Sequence, residues 1–261
     1  MDLGIRGRTA VVGGATSGLG RASAEALAAE GCDLLIWSRD ENRLAETADE
    51  LRLAHGVKVA HLAADALTPE AAAMIADAAT GFGEIDIVVL NAGGPPTVDP
   101  TATDRESWQR AFQLLAATPI EVATRLLPGM RERRWGRIVA ILSSGVRQPI
   151  GELVYSNGGR SALAAWLKTT ARAIAVEGVT LNGVMPGRLA TPRIHELDSG
   201  RAEREGRSED DVRAMHIGTI PAGRYGRPEE LGTLVAFLAS ERASYITGQM
   251  VAVDGGLIAG L

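Results

Sequence analysis

The feature that most restricts the fold is an alternation running the length of the chain, in which short apolar β-rich runs are separated by alanine-rich helical stretches. The candidate strands are Thr9–Val12, Asp33–Trp37, Val57–Leu62, Ile85–Leu90, Arg137–Leu142, Val179–Met185 and Met250–Val253. Helical stretches lie near Leu19–Glu30, Arg43–His55, Pro69–Ala79, Glu106–Arg133, Asn157–Ala175 and Glu229–Ala239. A strand that is apolar at every position is covered on both faces, which implies a parallel sheet between layers of helix. Repeated βα units then wind into an open α/β sheet of about seven strands, with the ligand at the carboxyl ends of the strands. No internal repeat or linker divides the 261 residues, so one domain, 1–261, is expected. The segment Thr191–Thr219 breaks the rhythm with the charged run Arg201–Arg207 followed by Ser208–Asp211. It reads either as a solvated helical pair or as a substrate lid over 191–220. Its place after a strand at the ligand edge favours the lid.

Composition narrows the partners. A net charge of −5 and a pI near 5.5 lack the clustered positive charge that nucleic acid or an anionic membrane requires. Cys32 is the one cysteine, so no internal disulfide forms and a reducing cytoplasm is expected. Apolar runs such as Ile85–Leu90 and Leu234–Leu238 fall far below the roughly 20 residues of a membrane helix. Met1–Arg6 has no signal-peptide core. His55, His61, His195 and His216 are scattered without metal-ligand spacing and read as surface residues.

At the first strand–helix junction the chain reads Gly13-Gly14-Ala15-Thr16-Ser17-Gly18-Leu19-Gly20. Glycines at 14, 18 and 20 permit a tight turn and a close backbone approach to a pyrophosphate, with the N-terminus of the following helix presenting free N–H groups. This gives the fold class: a Rossmann-type doubly wound α/β domain. The second strand ends in Ser38-Arg39, where an acidic residue would select a ribose 2′-hydroxyl. Ser38 lacks that charge, and Arg39 offers a planar cation for a 2′-phosphate, so NADP (NADPH) is the expected cofactor.

The spacing Gly-x-x-x-Gly-x-Gly resembles the short-chain dehydrogenase/reductase family, and the likeness covers almost the whole chain. It is supported by Asn91-Ala92-Gly93 after the fourth strand, by Pro186-Gly187-Arg188-Leu189-Ala190-Thr191, and by the ending Tyr245 through Gly256. The resemblance implies cofactor contacts from Thr16, Ser17, Leu19, Asp65, Asn91, Ala92, Gly93, Pro186, Gly187, Leu189 and Thr191. It is nearest to 3-oxoacyl-acyl-carrier-protein reductases and implies hydride transfer between a carbonyl and an alcohol on a small-molecule substrate.

The family's catalytic set is a serine, a tyrosine, a lysine four residues after it, and an asparagine on an earlier helix. Ser143 falls on the serine. Ser156 falls on the tyrosine, Arg160 on the lysine and Leu115 on the asparagine, so Ser143 alone is retained. Tyr155 stands one residue from the tyrosine position. With Asn157 as N-cap and Gly158-Gly159 loosening the helix start, it either swings into the site or packs at the helix start. Arg160 has donors to replace lysine in binding ribose. Arg147 and Glu152 read as substrate contacts or as surface charge. Two functions therefore stand: an NADP(H)-dependent oxidoreductase using Ser143, Tyr155, Ser156 and Arg160, its proton coming from Tyr155, a bound water or a substrate group, or a protein that binds NADP(H) as sensor or scaffold without turnover. Apolar residues on the long helices (Leu114, Ile120, Leu163, Trp166, Leu167) imply a homodimer or homotetramer.

Overall fold

The computed structural model describes residues 1–260. Seven parallel strands form one sheet: β1 (Thr9–Gly13), β2 (Asp33–Ser38), β3 (Val59–Ala63), β4 (Ile87–Leu90), β5 (Gly136–Ile141), β6 (Val179–Pro186) and β7 (Met250–Val253). Their spatial order is β3-β2-β1-β4-β5-β6-β7, so the winding direction reverses between β1 and β4. The expected architecture is the one observed. Sequence placed the strands correctly and missed their ends by up to two residues, most at β3 and β4.

Two helical layers close the sheet. On one face lie α1 (Gly18–Ala29), α2 (Glu41–His55) and α9 (Pro228–Leu238); on the other lie α3 (Ala71–Phe82), α4 (Arg105–Phe112), α5 (Thr118–Glu132) and α6 (Val154–Ile174). The pleat sends alternate residues to opposite cores: Ala10 and Val12 join the first layer while Val11 joins the second. Each fully buried leucine or isoleucine here, such as Leu27 or Ile138, contributes about 1.5–3 kcal/mol. The remaining helices, α7 (Pro192–Glu205) and α8 (Glu209–Gly218), occupy the segment set apart by its charge. Among the described residues, no helix is long and apolar enough to cross a membrane.

Three expectations need correcting. The long helix expected over Glu106–Arg133 is interrupted by a π turn at Gln113–Ala117. Pro119 has no N–H to donate to the Leu115 carbonyl. The buried Thr118 hydroxyl holds the distortion, donating to Ala66 O at 2.7 Å and accepting from Gln113 Nε2 at 2.8 Å. The helix expected at Asn157 begins earlier, at Val154, and Asn157 is not its cap. Its side chain instead ties down the preceding loop through Ile150 O at 2.8 Å. Third, Leu163 and Leu167 are buried within the chain and are not available to an oligomer face.

Candidate cofactor and active site

A cavity of about 1140 Å³ runs along the carboxyl ends of the strands. That exceeds the roughly 300–1,000 Å³ of ordinary small-molecule sites, leaving room for a dinucleotide and a second molecule. The cavity crosses the point where the strand order reverses, which is where such sheets bind ligands. Asn91, the first residue after β4, donates from Nδ2 to Gly13 O at 3.1 Å and so bridges the two halves of the sheet. The glycine turn is built against that amide. A Cβ at Gly14 would lie 2.7 Å from Asn91 Nδ2, and one at Gly20 would lie 2.2 Å from Gly14 O. Both positions therefore admit glycine alone, and the turn leaves the N-terminus of α1 open to the cavity. That opening, with free N–H groups at the start of α1, suits a pyrophosphate.

At the β2 end, Arg39 is exposed and lines the cavity beside Ser38, whose hydroxyl lies 3.3 Å from Thr16 Oγ1. Arg43 joins them from the first turn of α2, and the sequence reading missed it. Helical spacing supplied the signal, since Arg43 is the third residue after an Asp N-cap. Asp40, directly after Arg39, turns its carboxylate to cap α2, accepting from Arg43 N at 3.1 Å. Neither arginine has a carboxylate within salt-bridge distance among the described residues, so both charges are available to a 2′-phosphate. Thr16, Ser17, Gly18, Leu19, Asp65, Asn91, Ala92, Gly93, Pro186, Gly187, Leu189 and Thr191 also line the cavity. Gly20 lies beneath its wall.

At the other end the cavity is lined by Ser143, Ser156 and Arg160. Ser143 Oγ accepts from Gly145 N at 3.0 Å, which fixes its rotamer after β5. Arg160 donates through Nη1 to Ile141 O at 2.6 Å and through Nε to Ser156 Oγ at 3.3 Å. Burial, reinforced by the nearby Arg193 charge, lowers its pKa to about 10, so it stays cationic at neutral pH.

Tyr155 is not part of this group. Its hydroxyl donates to Asp104 Oδ2 at 3.2 Å and accepts from Asp104 N at 3.1 Å, and its ring meets Trp108 edge-on at 4.9 Å. The early start of α6 decides this, because one residue along a formed helix is a turn of about 100°. Gly158 and Gly159 do not loosen the helix either. They admit its neighbours, since a Cβ at Gly158 would lie 2.7 Å from the Trp108 ring and one at Gly159 would lie 2.9 Å from Leu115 Cβ. Leu115 is buried, and Leu114 reaches the cavity in its place.

The charged segment presents Arg193, Arg201 and His216 to the cavity, and the loop after β6 adds Arg188. His216 is buried, contrary to its reading as a surface histidine. Its Nε2 lies 2.8 Å from Arg188 Nη2 and 3.2 Å from Arg201 Nη1, and must accept from both. Its Nδ1–H therefore donates to Asp198, 3.1 Å away. Burial, then Arg188, lowers the His216 pKa and keeps the ring neutral. Tyr225 donates to Asp198 Oδ2 at 2.7 Å, completing a network that ties α7 and α8 to the strand-end loop. His195 is exposed, while His55 and His61 pair with Glu25 and Glu41. Arg147 and Glu152 stay off the cavity wall; Glu152 instead receives Arg204 Nη2 at 2.7 Å, pinning the loop before α6 to α7.

The sequence profile of the enoyl-(acyl carrier protein) reductase family matches residues 14–258. The chain belongs to this short-chain dehydrogenase/reductase family. It is 32% identical to the 3-oxoacyl-[acyl-carrier-protein] reductase of Escherichia coli (strain K12), over 98% of this chain and 99% of that one. It is 31% identical to the D-beta-hydroxybutyrate dehydrogenase of Cupriavidus necator, with the same coverage of each. The L-sorbose reductase of Gluconobacter frateurii, solved with NADPH and L-sorbose, superposes with a TM-score of 0.94 at 33% identity over the whole of both chains.

Tyr155→Phe tests the placement of that side chain. Loss of its bonds to Asp104 is expected to cost about 0.5–1.5 kcal/mol in thermal unfolding and to leave NADPH affinity unchanged in a fluorescence titration.

Proposed function

We propose that the chain is an NADP(H)-dependent oxidoreductase interconverting a carbonyl and an alcohol on a small-molecule substrate. The observation that carries this reading is the pairing within one cavity of a glycine-only phosphate turn and Arg39 with a serine and a cation at the far end. NADPH is held by its pyrophosphate at the start of α1 and by its 2′-phosphate at Arg39 and Arg43. The bound nicotinamide supplies the hydride. Ser143 orients the substrate oxygen, and Arg160 takes over ribose binding from the family's lysine. Ser156, where the family has its tyrosine, hydrogen-bonds Arg160 and cannot act as a phenolic acid. The relatives' substrates, a 3-oxoacyl thioester, a hydroxybutyrate and a sugar ketone, all contain the same carbonyl/alcohol pair.

The helices α7 and α8 serve as the substrate lid over 191–220. Their inner face carries polar groups into the cavity, and Glu152–Arg204 latches them to the opposite wall. We place the protein in the cytoplasm on the strength of its single buried cysteine. We also propose a homotetramer or homodimer through α4, α5 and α6, where Phe112 is exposed and Ile120 and Trp166 are half-buried. Sedimentation velocity at micromolar concentration is expected to show an oligomer, and a monomer would refute the assignment.

Cofactor choice is tested by affinity. Charge-assisted phosphate contacts are worth about 1.5–3 kcal/mol, so NADPH is expected to bind about tenfold or more tightly than NADH. Arg39→Ala should remove most of that gap. Equal affinities in the parent would overturn the NADP(H) reading, and tight NADPH binding with no oxidation against any carbonyl would favour a sensor.

A further inference from the structure

Six arginines line the cavity, and their donors are not equally committed. In the reading above, Arg39 and Arg43 meet the 2′-phosphate and Arg160 meets the ribose. Arg193, in the first turn of α7, is occupied by the fold: Nη2 donates to Pro95 O, and Nη1 lies 2.9 Å from Glu196. Arg188 spends both terminal nitrogens, Nη1 on Asp198 at 2.8 Å and Nη2 on His216 Nε2 at 2.8 Å. Arg201, half-buried on α7, is different. Its Nε donates to Glu205 at 2.6 Å and its Nη1 to His216 Nε2 at 3.2 Å, while its Nη2 has no partner among the described residues. Both hydrogens of Nη2 and one of Nη1 are left for a ligand.

The plane of the Arg201 guanidinium is set by its bonds. With Nε and Nη1 both held, the rigid fork fixes where Nη2 lies. His216 accepts from Arg188 and Arg201 through one nitrogen while Asp198 takes its Nδ1–H, so a neutral ring holds two cations side by side. The surroundings favour an anion. The acidic side chains that line the cavity are Asp40 and Asp65, which stand at the far end, after β2 and β3. The carboxylates paired with Arg188, Arg193 and Arg201 stay off the wall: Asp198 is buried, and Glu196 and Glu205 are exposed. A concave wall that shows cations and no carboxylate draws negative charge. Ser143 is close by, because β5 and β6 pair with Ile141 opposite Val184 and the loops carrying Ser143 and Arg188 leave strands ~4.8 Å apart. Most of the other side chains in this half are apolar, among them Leu114, Leu153, Ile194 and Leu197.

We propose that the substrate is a small keto or hydroxy acid with an apolar body, and that Arg201 binds its carboxylate while Ser143 orients its carbonyl or alcohol oxygen. This deepens the oxidoreductase reading above and rests on it. A planar carboxylate matches the guanidinium fork, and charge-assisted bonds of this kind are short and strong. The fork is already oriented by His216 and Glu205, so little freedom is lost when the acid arrives. An ester, an amide or a simple ketone of the same shape meets the same apolar wall but brings no charge to Arg201. Selection therefore acts on the acid group, at a point on the wall separate from the cofactor contacts.

The probes are cyclohexanecarboxylate and cyclohexanecarboxamide, which match in shape, differ in charge at neutral pH and contain no ketone to reduce. Each is titrated calorimetrically into the parent, Arg201→Met and Arg201→Lys, all saturated with NADPH, and NADPH affinity is measured alongside. The parent is expected to bind the acid about tenfold or more tightly than the amide, the advantage of a charge-assisted bond over a neutral one. Arg201→Met should bring the two affinities together without changing that for NADPH, and Arg201→Lys should keep part of the preference. Equal affinities, or no detectable binding of the acid, in a parent that binds NADPH would overturn the proposal while leaving the oxidoreductase reading intact. A parent that fails to bind NADPH overturns that reading instead. A preference for the acid that survives in Arg201→Met would place the carboxylate on another cation, and would also overturn the proposal.

Discussion

The hydrogen bond from Asn91 Nδ2 to Gly13 O joins β4 to β1 where the strand order reverses, and the cofactor site is arranged around it. At a reversal point the helices after β1 and β4 depart to opposite faces, which leaves a crevice between the two strand ends. The Asn91 amide spans that crevice and limits how close the glycine turn can come. Gly14 and Gly20 pack against it and against each other with no space for a side chain. The opening of α1 toward the cavity, and hence a place for phosphate, follows from this contact.

The other end of the cavity is built on α6 and on the distorted helix packed against it. The π turn at Gln113–Ala117 carries the buried Leu115, and Pro119 and Thr118 hold it in place. The face of α6 is kept close to α4 by Gly158 and Gly159. Ser156 and Arg160 share one hydrogen bond in the cavity wall. A lysine tunes the acidity of a neighbouring phenol; an arginine with no phenol beside it can act only as a charge and as a donor. The lid network around Asp198 and His216 adds two further guanidinium groups whose donors are largely taken up by that network. Guanidinium groups, two of them paired with Asp198 and Glu205, are the common feature of this half of the cavity.

Much of this was legible in the sequence. Alternating apolar runs fixed the seven strands, and the glycine spacing with Ser38-Arg39 located the cofactor half, because those features act over a few residues. Tyr155 shows where local reading stops. Asn157 and two glycines look like a helix start, yet tertiary packing overrode that preference: Asp104 and Trp108, some fifty residues earlier, hold Tyr155 inside the helix. His216 looked like a surface residue because its partners, Arg188, Asp198 and Tyr225, come from three other segments. Leu163 and Leu167 suggested an oligomer face but are covered by the chain's own core. Each miss involves a contact between segments distant in sequence, which periodicity and spacing do not encode.

The most direct test of whether this cavity acts by fixed charge and not by proton donation is the solvent isotope effect on hydride transfer. Single-turnover oxidation of bound NADPH by a carbonyl substrate would be followed in light and heavy water from about pH 7 to about pH 9, the range in which a tuned tyrosine or histidine would titrate. With no protein acid at the substrate oxygen, the rate should be the same in both solvents and flat across that range. A rate that is clearly slower in heavy water and follows a single ionisation would contradict it, because a protein group would then be delivering the proton as the hydride moves.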